Sequence, residues 1–189
     1  MGEVTVPGES VSDVGADRWT VTCEGVNIYL DQIGFHYRYA TVAGDGRIEG
    51  TLLGVEDVYP FSKGGFMVRE SLDPEAAHGF LGRIASGESE VLWATGRGAP
   101  TRSQQFGNAN EPVERFRLDR VGLLVTASVR HGDTWVPVDQ RRVSLGERVH
   151  VGLTVCSVTP GDACSVTFED VTVRRLDADE DDGRLDVDR

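Results

Sequence analysis

Charged and titratable side chains gather around one apolar stretch of the sequence. Lys63, the only lysine in the chain, precedes Gly64-Gly65, and Arg69, Glu70 and His78 follow shortly after it. Arg69 and His78 could donate hydrogen bonds to the hydroxyl groups of a ligand, and the arginine fork also matches a carboxylate. The alternative is structural, with an Arg–Glu or Lys–Glu pair that joins this segment to its neighbour.

The segment that carries these residues is predicted to be a β-hairpin. Its turn is Leu72-Asp73-Pro74-Glu75, where proline presets φ and aspartate can bond its own backbone. On the preceding strand, Met67 and Arg69 point to one face and Val68 and Glu70 to the other. If the apolar face packs in an inter-sheet core, one of these charges must be paired or lie at the end of the strand.

Two other segments supply further binding candidates. His36 and Arg38 alternate with aromatic residues in Phe35–Val42, which predicts a half-buried strand with these two side chains on its wetter face. Trp93 leads into the polar segment 96–112 and is a candidate for stacking on a sugar; the alternative is a core aromatic. The full set of ligand-binding candidates is Lys63, Arg69, Glu70, His78, Trp93, His36 and Arg38.

The elements that position these residues are strands. Period-two alternation recurs from residue 19 to residue 173 between turns rich in Gly, Pro and Asp, and no segment shows helical periodicity over three turns. This pattern predicts an all-β fold, a single-domain antiparallel β-sandwich over residues 17–176. Residues 1–16 are predicted to be a flexible leader or an edge strand, 96–112 an irregular loop, and 177–189 a disordered acidic tail.

The charge balance excludes several classes of partner. The chain has 31 acidic and 19 basic residues and a net charge of −12, which disfavours a nucleic-acid partner. No apolar run is long enough to span a membrane, and the acidic start does not match a secretory signal, so a cytoplasmic location is predicted. High acidity with a single lysine is typical of halophilic proteins; the alternative is an ordinary acidic protein with an acidic tail.

The three cysteines do not form a recognisable framework. Cys23, Cys156 and Cys164 are odd in number and irregularly spaced, which fits neither a disulfide scaffold nor a zinc site. We expect them to be buried as small apolar residues. A bridge between Cys156 and Cys164 across the turn at 159–162 stays open.

Four parts of the sequence resemble one family of the concanavalin A-like lectin/glucanase superfamily. They are Phe35–Tyr39 with Gly44-Asp45-Gly46, Lys63–Leu72 with His78–Gly82, Gly132–Trp135, and Val151–Val155 with Thr167–Val173. The second is the specific one. The family comprises jelly-roll domains of unknown function, and its fungal members are described as regulators of enolase. This chain departs from the family at Phe61, where a tryptophan is usual, and at Asn27, where an acidic residue is usual.

The resemblance implies a concanavalin A-like jelly roll with a concave sheet that binds a ligand. Related domains are attached to glycoside hydrolases, so the implied function is non-catalytic binding of a carbohydrate or a small polar ligand. The missing export signal favours the alternative, a cytosolic regulatory or protein-interaction domain without a sugar ligand. A glycoside hydrolase is a more distant third.

Catalysis and metal binding find little support in the sequence. Glucanases of this superfamily carry an E-x-D-x-x-E strand, and none of the acidic clusters, including Glu88-Ser89-Glu90, has that spacing. There is no G-x-S-x-G motif. No cofactor is predicted. Asp177, Asp179 and Asp181 resemble the start of a calcium loop but fail its pattern, because the glycine comes one place late and no helix flanks them. Loosely bound calcium at loop carboxylates stays open.

Overall fold

The computed structural model describes residues 8–176. The described residues form fifteen β-strands and no helix. The predictions for the acidic tail at 177–189 and for the first part of the leader lie outside the described residues. The rest of the leader contains a short strand, in keeping with the edge-strand alternative.

The strands are three to twelve residues long. In chain order they are β1 Glu9–Asp13, β2 Arg18–Cys23, β3 Asn27–Tyr29, β4 Gln32–Gly34, β5 His36–Ala43, β6 Gly46–Val55, β7 Lys63–Arg69, β8 His78–Ile84, β9 Ser89–Ala94, β10 Arg102–Phe106, β11 Arg115–Val121, β12 Leu124–His131, β13 Thr134–Arg142, β14 Arg148–Cys156 and β15 Cys164–Arg175.

Two antiparallel sheets stack face to face. The larger has seven strands in the order β1-β2-β15-β6-β11-β12-β13, and the smaller has six in the order β10-β9-β8-β7-β14-β5. Strands β3 and β4 pair with each other as a separate hairpin. The predicted all-β antiparallel sandwich is confirmed. The predicted irregular loop at 96–112 is wrong in its centre, because Arg102–Phe106 pairs with β9 as an edge strand of the smaller sheet.

The main core lies between the sheets. Phe66 of the smaller sheet meets Phe168 of the larger, with ring centroids 5.8 Å apart. The sheets approach closely at Gly64, where an added Cβ would lie 2.5 Å from a methyl carbon of Val166. Alternate residues of β7 face this core, so the odd-numbered residues from Lys63 to Arg69 face outward.

A second apolar cluster covers the outer face of the smaller sheet. It consists of Ile28, Phe35, Tyr37, Met67, Phe80, Leu92 and Cys156, with Ile33 and Val158 packed against it. The β3–β4 hairpin therefore lies as a roof over the sheet. Its turn is held by two backbone hydrogen bonds between Leu30 and Thr101, of 3.1 and 3.0 Å. The main core covers the inner face of the smaller sheet and the outer cluster covers its outer face, so all residues of β7, β8 and β9 are buried.

The three cysteines are buried free thiols, as expected from the sequence. Cys23 and Cys164 are partners on neighbouring strands of the larger sheet, whereas Cys156 belongs to the outer cluster of the smaller sheet. Burial raises the pKa of the Cys156 thiol to about 12. Cys156 is not bridged to Cys164 in the described structure. None of the described residues forms a helix that could cross a membrane.

Candidate functional site

A pocket of about 490 Å³ opens on the outer face of the smaller sheet, beside the roof hairpin. Its wall is built by the hairpin, the segment before β7, the first residue of β7, the strands β9 and β10, and the segment after β14. The lining residues are Asn27, Tyr29, Tyr59, Phe61, Lys63, Glu90, Ser103, Gln105 and Val158. We call this cavity the outer pocket.

A buried ion pair lies in the outer pocket. Lys63 begins β7 and Glu90 lies on β9, with β8 between them, and both side chains leave the same face of the sheet. Lys63 Nζ donates to Glu90 Oε2 at 2.7 Å, and each side chain is only 3% exposed. This is a Lys–Glu pair of the kind considered above, formed with Glu90 of β9 and not with Glu70.

A serine on the edge strand fixes the orientation of the carboxylate. Ser103 lies on β10, and its Oγ donates to Glu90 Oε1 at 2.6 Å. Both carboxylate oxygens thus accept a hydrogen bond within the protein. Hydrogen bonds to both oxygens leave the carboxylate little freedom to rotate, so the site is pre-organised.

Exposed aromatic rings form the mouth of the outer pocket. Tyr59 and Phe61 are each 44% exposed, and their ring centroids lie 5.9 Å apart. Tyr29 of the hairpin is also exposed, and Asn27 and Gln105 add amide groups. Aromatic faces present broad apolar area with a polar edge, which suits contact with a flat, partly apolar ligand.

Arg69 is a structural residue and does not reach the outer pocket. It is fully buried on the roofed face, where Nε donates to Ser71 O at 2.8 Å and Nη2 to Asp73 O at 2.6 Å. Its guanidinium also lies 5.3 Å from the ring centroid of Phe35. Burial lowers the pKa of Arg69. The guanidinium donates its hydrogen bonds to backbone carbonyls of the β7–β8 turn, so the predicted contact with a ligand carboxylate is wrong.

His78 and Glu70 lie apart from the outer pocket as well. His78 Nδ1 is 2.9 Å from Ala76 O, and its Nε2 is 3.3 Å from Thr101 Oγ1. Burial, aided by the charge of Arg69, lowers the pKa of His78 to about 4. Glu70 faces Arg97 at 3.7 Å on the surface. His78 lines a smaller cavity of about 200 Å³ elsewhere, together with residues of the hairpin.

Trp93 points into the inter-sheet core. It is 5% exposed, and its Nε1 donates to Asp139 Oδ2 of the larger sheet at 2.9 Å. The sugar-stacking prediction is wrong, because Leu92 and not Trp93 faces the roofed side of β9. The alternative of a core aromatic is correct.

His36 and Arg38 lie at an edge of the sandwich, away from the outer pocket. Both point from β5 towards the larger sheet and stay half-buried. The guanidinium of Arg38 lies 5.4 Å from the ring centroid of Trp19, and His36 Nε2 is 2.7 Å from Ser10 Oγ. Of the seven ligand-binding candidates, only Lys63 lines the outer pocket.

The remaining pocket residues were missed by the sequence reasoning or given another role. Glu90 was considered only as a hydrolytic acid, and Phe61 only as a departure from the family pattern. The sequence does contain one indication of the pocket mouth. In Tyr59-Pro60-Phe61 two aromatic residues flank a turn-forming proline, and a turn does not bury side chains as the interior of a sheet does, so exposed rings could have been predicted there. Ser103 and Gln105 gave no signal, because their role depends on the pairing of β10 with β9.

The described residues contain no group of three or more His, Cys, Asp or Glu side chains that could hold a metal ion. The tail aspartates considered for calcium, Asp177, Asp179 and Asp181, lie outside the described residues. Loosely bound calcium at loop carboxylates stays a prediction.

Comparison with known proteins shows the fold. No protein-family model and no curated protein matches the chain. A functionally unknown protein from Saccharomyces cerevisiae superposes with a TM-score of 0.70 at 12% identity, over 93% of this chain and 94% of that one. The carbohydrate binding module CBM66 from Bacillus subtilis gives a TM-score of 0.56 at 16% identity, over 88% and 91%. The kappa-carrageenase from Pseudoalteromonas carrageenovora, in complex with an oligotetrasaccharide of kappa-carrageenan, gives 0.53 at 11% identity, over 87% and 80%.

These likenesses are consistent with the concanavalin A-like jelly roll that the sequence resemblance implies. At such low identity these likenesses establish the architecture only. The ligand of this chain must be inferred from the residues of its own pocket. The link to enolase regulation stays a prediction.

Proposed function

We propose that this chain is a non-catalytic carbohydrate-binding domain whose ligand lies in the outer pocket. The observation that carries the proposal is the placement of the only lysine in the sequence. Lys63 is buried against Glu90 inside a pocket whose mouth is formed by exposed aromatic rings. A buried ion pair contributes little net stability, so its presence inside a cavity favours a role in binding.

The chemistry of the pocket suits sugar hydroxyls. A hydroxyl both donates and accepts hydrogen bonds, and the pocket offers donors on Lys63 and acceptors on Glu90. Amide groups of Asn27 and Gln105 can do both. The rings of Tyr59 and Phe61 can pack against the C–H face of a pyranose, as aromatic side chains do in sites for partly apolar ligands.

The carboxylates of the pocket favour binding over hydrolysis. Glycoside hydrolysis in its usual form needs two carboxyl groups on either side of the scissile bond. Of the described residues that line the outer pocket, Glu90 alone carries a carboxylate, and it is engaged by Lys63 and Ser103. Glu88, the other acid considered for hydrolysis, bonds Ser86 at an exposed turn.

Similarity of fold adds support by analogy. Two solved structures with this architecture are a carbohydrate binding module and an enzyme in complex with a carrageenan oligosaccharide. Folds host many functions, so this analogy ranks below the pocket itself. The cytoplasmic location remains part of the proposal.

A glycan array, run both at low salt and in molar salt, tests the proposal. The variant Tyr59→Ala removes an aromatic ring from the mouth, and Tyr39→Ala removes a ring of similar exposure, 39% against 44%, elsewhere on the surface. We expect reproducible hits that weaken about fivefold in Tyr59→Ala, since a stacked ring contributes about 1 kcal/mol, and that persist in Tyr39→Ala.

Two results would count against the proposal. Silence towards all glycans, together with a specific protein partner, would favour the alternative of a regulatory or protein-interaction domain. Equal losses in both tyrosine variants would place the ligand outside the outer pocket.

A further inference from the structure

We infer that the outer pocket recognises two neighbouring hydroxyl groups of an uncharged sugar, with Lys63 donating to one and Glu90 accepting from the other. This inference rests on the proposed function and names the class of ligand.

The geometry of the ion pair matches a vicinal diol. Lys63 Nζ and Glu90 Oε2 are 2.7 Å apart. Gauche hydroxyl oxygens on adjacent ring carbons of a sugar are also separated by about one hydrogen-bond length. Two such oxygens can therefore lie side by side against the pair, one bound by the ammonium and the other by the carboxylate.

Both members of the pair retain hydrogen-bonding capacity. An ammonium has three N–H donors, and one of those on Lys63 is directed at Glu90. Each carboxylate oxygen offers two acceptor positions, and Lys63 and Ser103 each use one. A diol can use these positions without breaking the bonds within the protein.

The charges of the pocket favour a neutral ligand. Lys63 and Glu90 together carry no net charge, and the other lining residues in the described structure are uncharged. An anionic sugar would bring its negative charge next to Glu90 and into the field of a chain of net charge −12. Arg69, which could have paired with a carboxylate, is committed to Ser71 and Asp73.

Burial increases the contribution of each of these hydrogen bonds to the affinity for the sugar. The side chains of the pair are 3% exposed, so water has little access to them once a ligand fills the pocket. A sugar that lacks one hydroxyl would leave one hydrogen-bonding position of a buried charged group unfilled. Hydrogen bonds to charged groups contribute about 1.5 to 3 kcal/mol, which corresponds to an affinity loss of about 10- to 100-fold.

The single lysine provides a direct probe. Protein labelled only at lysine with ¹⁵N and ¹³C gives NMR signals from Lys63 alone. We would titrate it with the methyl glycosides of glucose, galactose, mannose and xylose, with methyl fructoside, and with glucuronate and galacturonate. The monodeoxy analogues of the best neutral sugar would follow. We expect a neutral sugar to shift the Lys63 signals, and removal of either hydroxyl of one adjacent pair to weaken binding about 10- to 100-fold.

A variant tests the orientation of the carboxylate without removing a charge. Ser103→Ala releases one oxygen of Glu90, and Ser86→Ala does the same to Glu88 at the exposed turn. We expect Ser103→Ala to reduce both affinity and the discrimination between the parent sugar and its deoxy analogues. Ser86→Ala should change neither. A merely structural role of Ser103 would alter the melting temperature but leave this discrimination intact.

The outcomes separate the inference from the proposed function. Tighter binding of a uronate, equal loss across all deoxy analogues, or sugar binding that leaves the Lys63 signals unmoved would overturn the diol inference and leave carbohydrate binding in place. Failure of all sugars, here and on the glycan array, would overturn the proposed function and the inference together.

Discussion

The outer faces of the two sheets use ion pairs in opposite ways. On the larger sheet, Arg47 pairs with Asp119 and Arg117 with Glu49 across neighbouring strands, and these side chains are 15% to 21% exposed. On the smaller sheet, the side chains of the Lys63–Glu90 pair are 3% exposed inside the outer pocket. Pairs of opposite charge thus keep partial contact with water on one face and almost none on the other.

The difference indicates what each pair does. A partly exposed pair loses less hydration on folding than a buried one and contributes about 1 kcal/mol. A buried pair loses its hydration, and that cost offsets most of the attraction between the charges. The pairs of the larger sheet therefore help to keep that surface polar, whereas the Lys63–Glu90 pair adds little net stability, which is why we propose a role in binding for it.

The largest effect is expected when the buried pair is broken. Glu90→Gln leaves the ammonium of Lys63 buried without its counter-charge, and we expect the free energy of unfolding to fall by about 3 kcal/mol. The matched variant Glu49→Gln should cost less than about 1 kcal/mol. Urea denaturation followed by tryptophan fluorescence measures both, and equal losses would remove the contrast between the two faces.

Replacing the whole pair sharpens that test. In Lys63→Met/Glu90→Leu no charge is left unpaired, so we expect a free energy of unfolding within about 1 kcal/mol of the wild type. Sugar binding should be lost. A double variant that is as unstable as Glu90→Gln would instead make the pair a structural element.

Acid should weaken the roofed face through His78. Its pKa is lowered to about 4 by burial and by Arg69, so the unfolded chain takes up the proton first as the pH falls. The contribution of neutral His78 to the free energy of unfolding is complete above about pH 6.5. It decreases as the pH falls towards 4, by about 2 kcal/mol between pH 7 and pH 5. Denaturation of wild type, His78→Gln and the exposed control His131→Gln at both values checks this. Equal pH dependence in all three would contradict it.

A smaller effect is expected in the core that both sheets share. Trp93→Phe removes the hydrogen bond from Nε1 to the carboxylate of Asp139 and should cost about 1.5 kcal/mol. Sugar affinity should not change, because the ring faces the larger sheet. Calorimetric titration of the variant with the best sugar tests this. If the affinity fell while the stability stayed unchanged, Trp93 would have to contact the sugar.

The smallest effect concerns salt. The coupling between Arg117 and Glu49, measured by a double-mutant cycle, should be about 0.5 kcal/mol at low salt and should approach zero at about 1 M, where the Debye length is about 3 Å. The coupling between Lys63 and Glu90 should persist, since both side chains are only 3% exposed and buried pairs are screened much less by salt. If both couplings vanish together, the two faces are equally open to solvent.

The fold was largely predictable from the sequence because alternation is a local signal. Phe35–Val42 and Cys164–Val173 have alternating side chains and correspond to β5 and β15. Alternation fails where both faces of a strand are buried, which is why the face of Trp93 could not be assigned. It also missed β10, whose residues are mostly polar and pair on one side only.

The outer pocket was less predictable because it is built by non-local contacts. Lys63 was recognised as a candidate, but its partner Glu90 is reached only through the register of three strands. Tyr29 approaches the pocket because Ile28 and Ile33 pack the hairpin onto the smaller sheet. The sequence alone does not reveal that packing.

The roof hairpin and the Tyr59–Phe61 segment frame the pocket without belonging to either sheet. Substitutions at Tyr29, Tyr59 or Phe61 should therefore reshape the mouth of the pocket at little cost to folding. The buried Lys63–Glu90 pair should stay in place when the mouth changes.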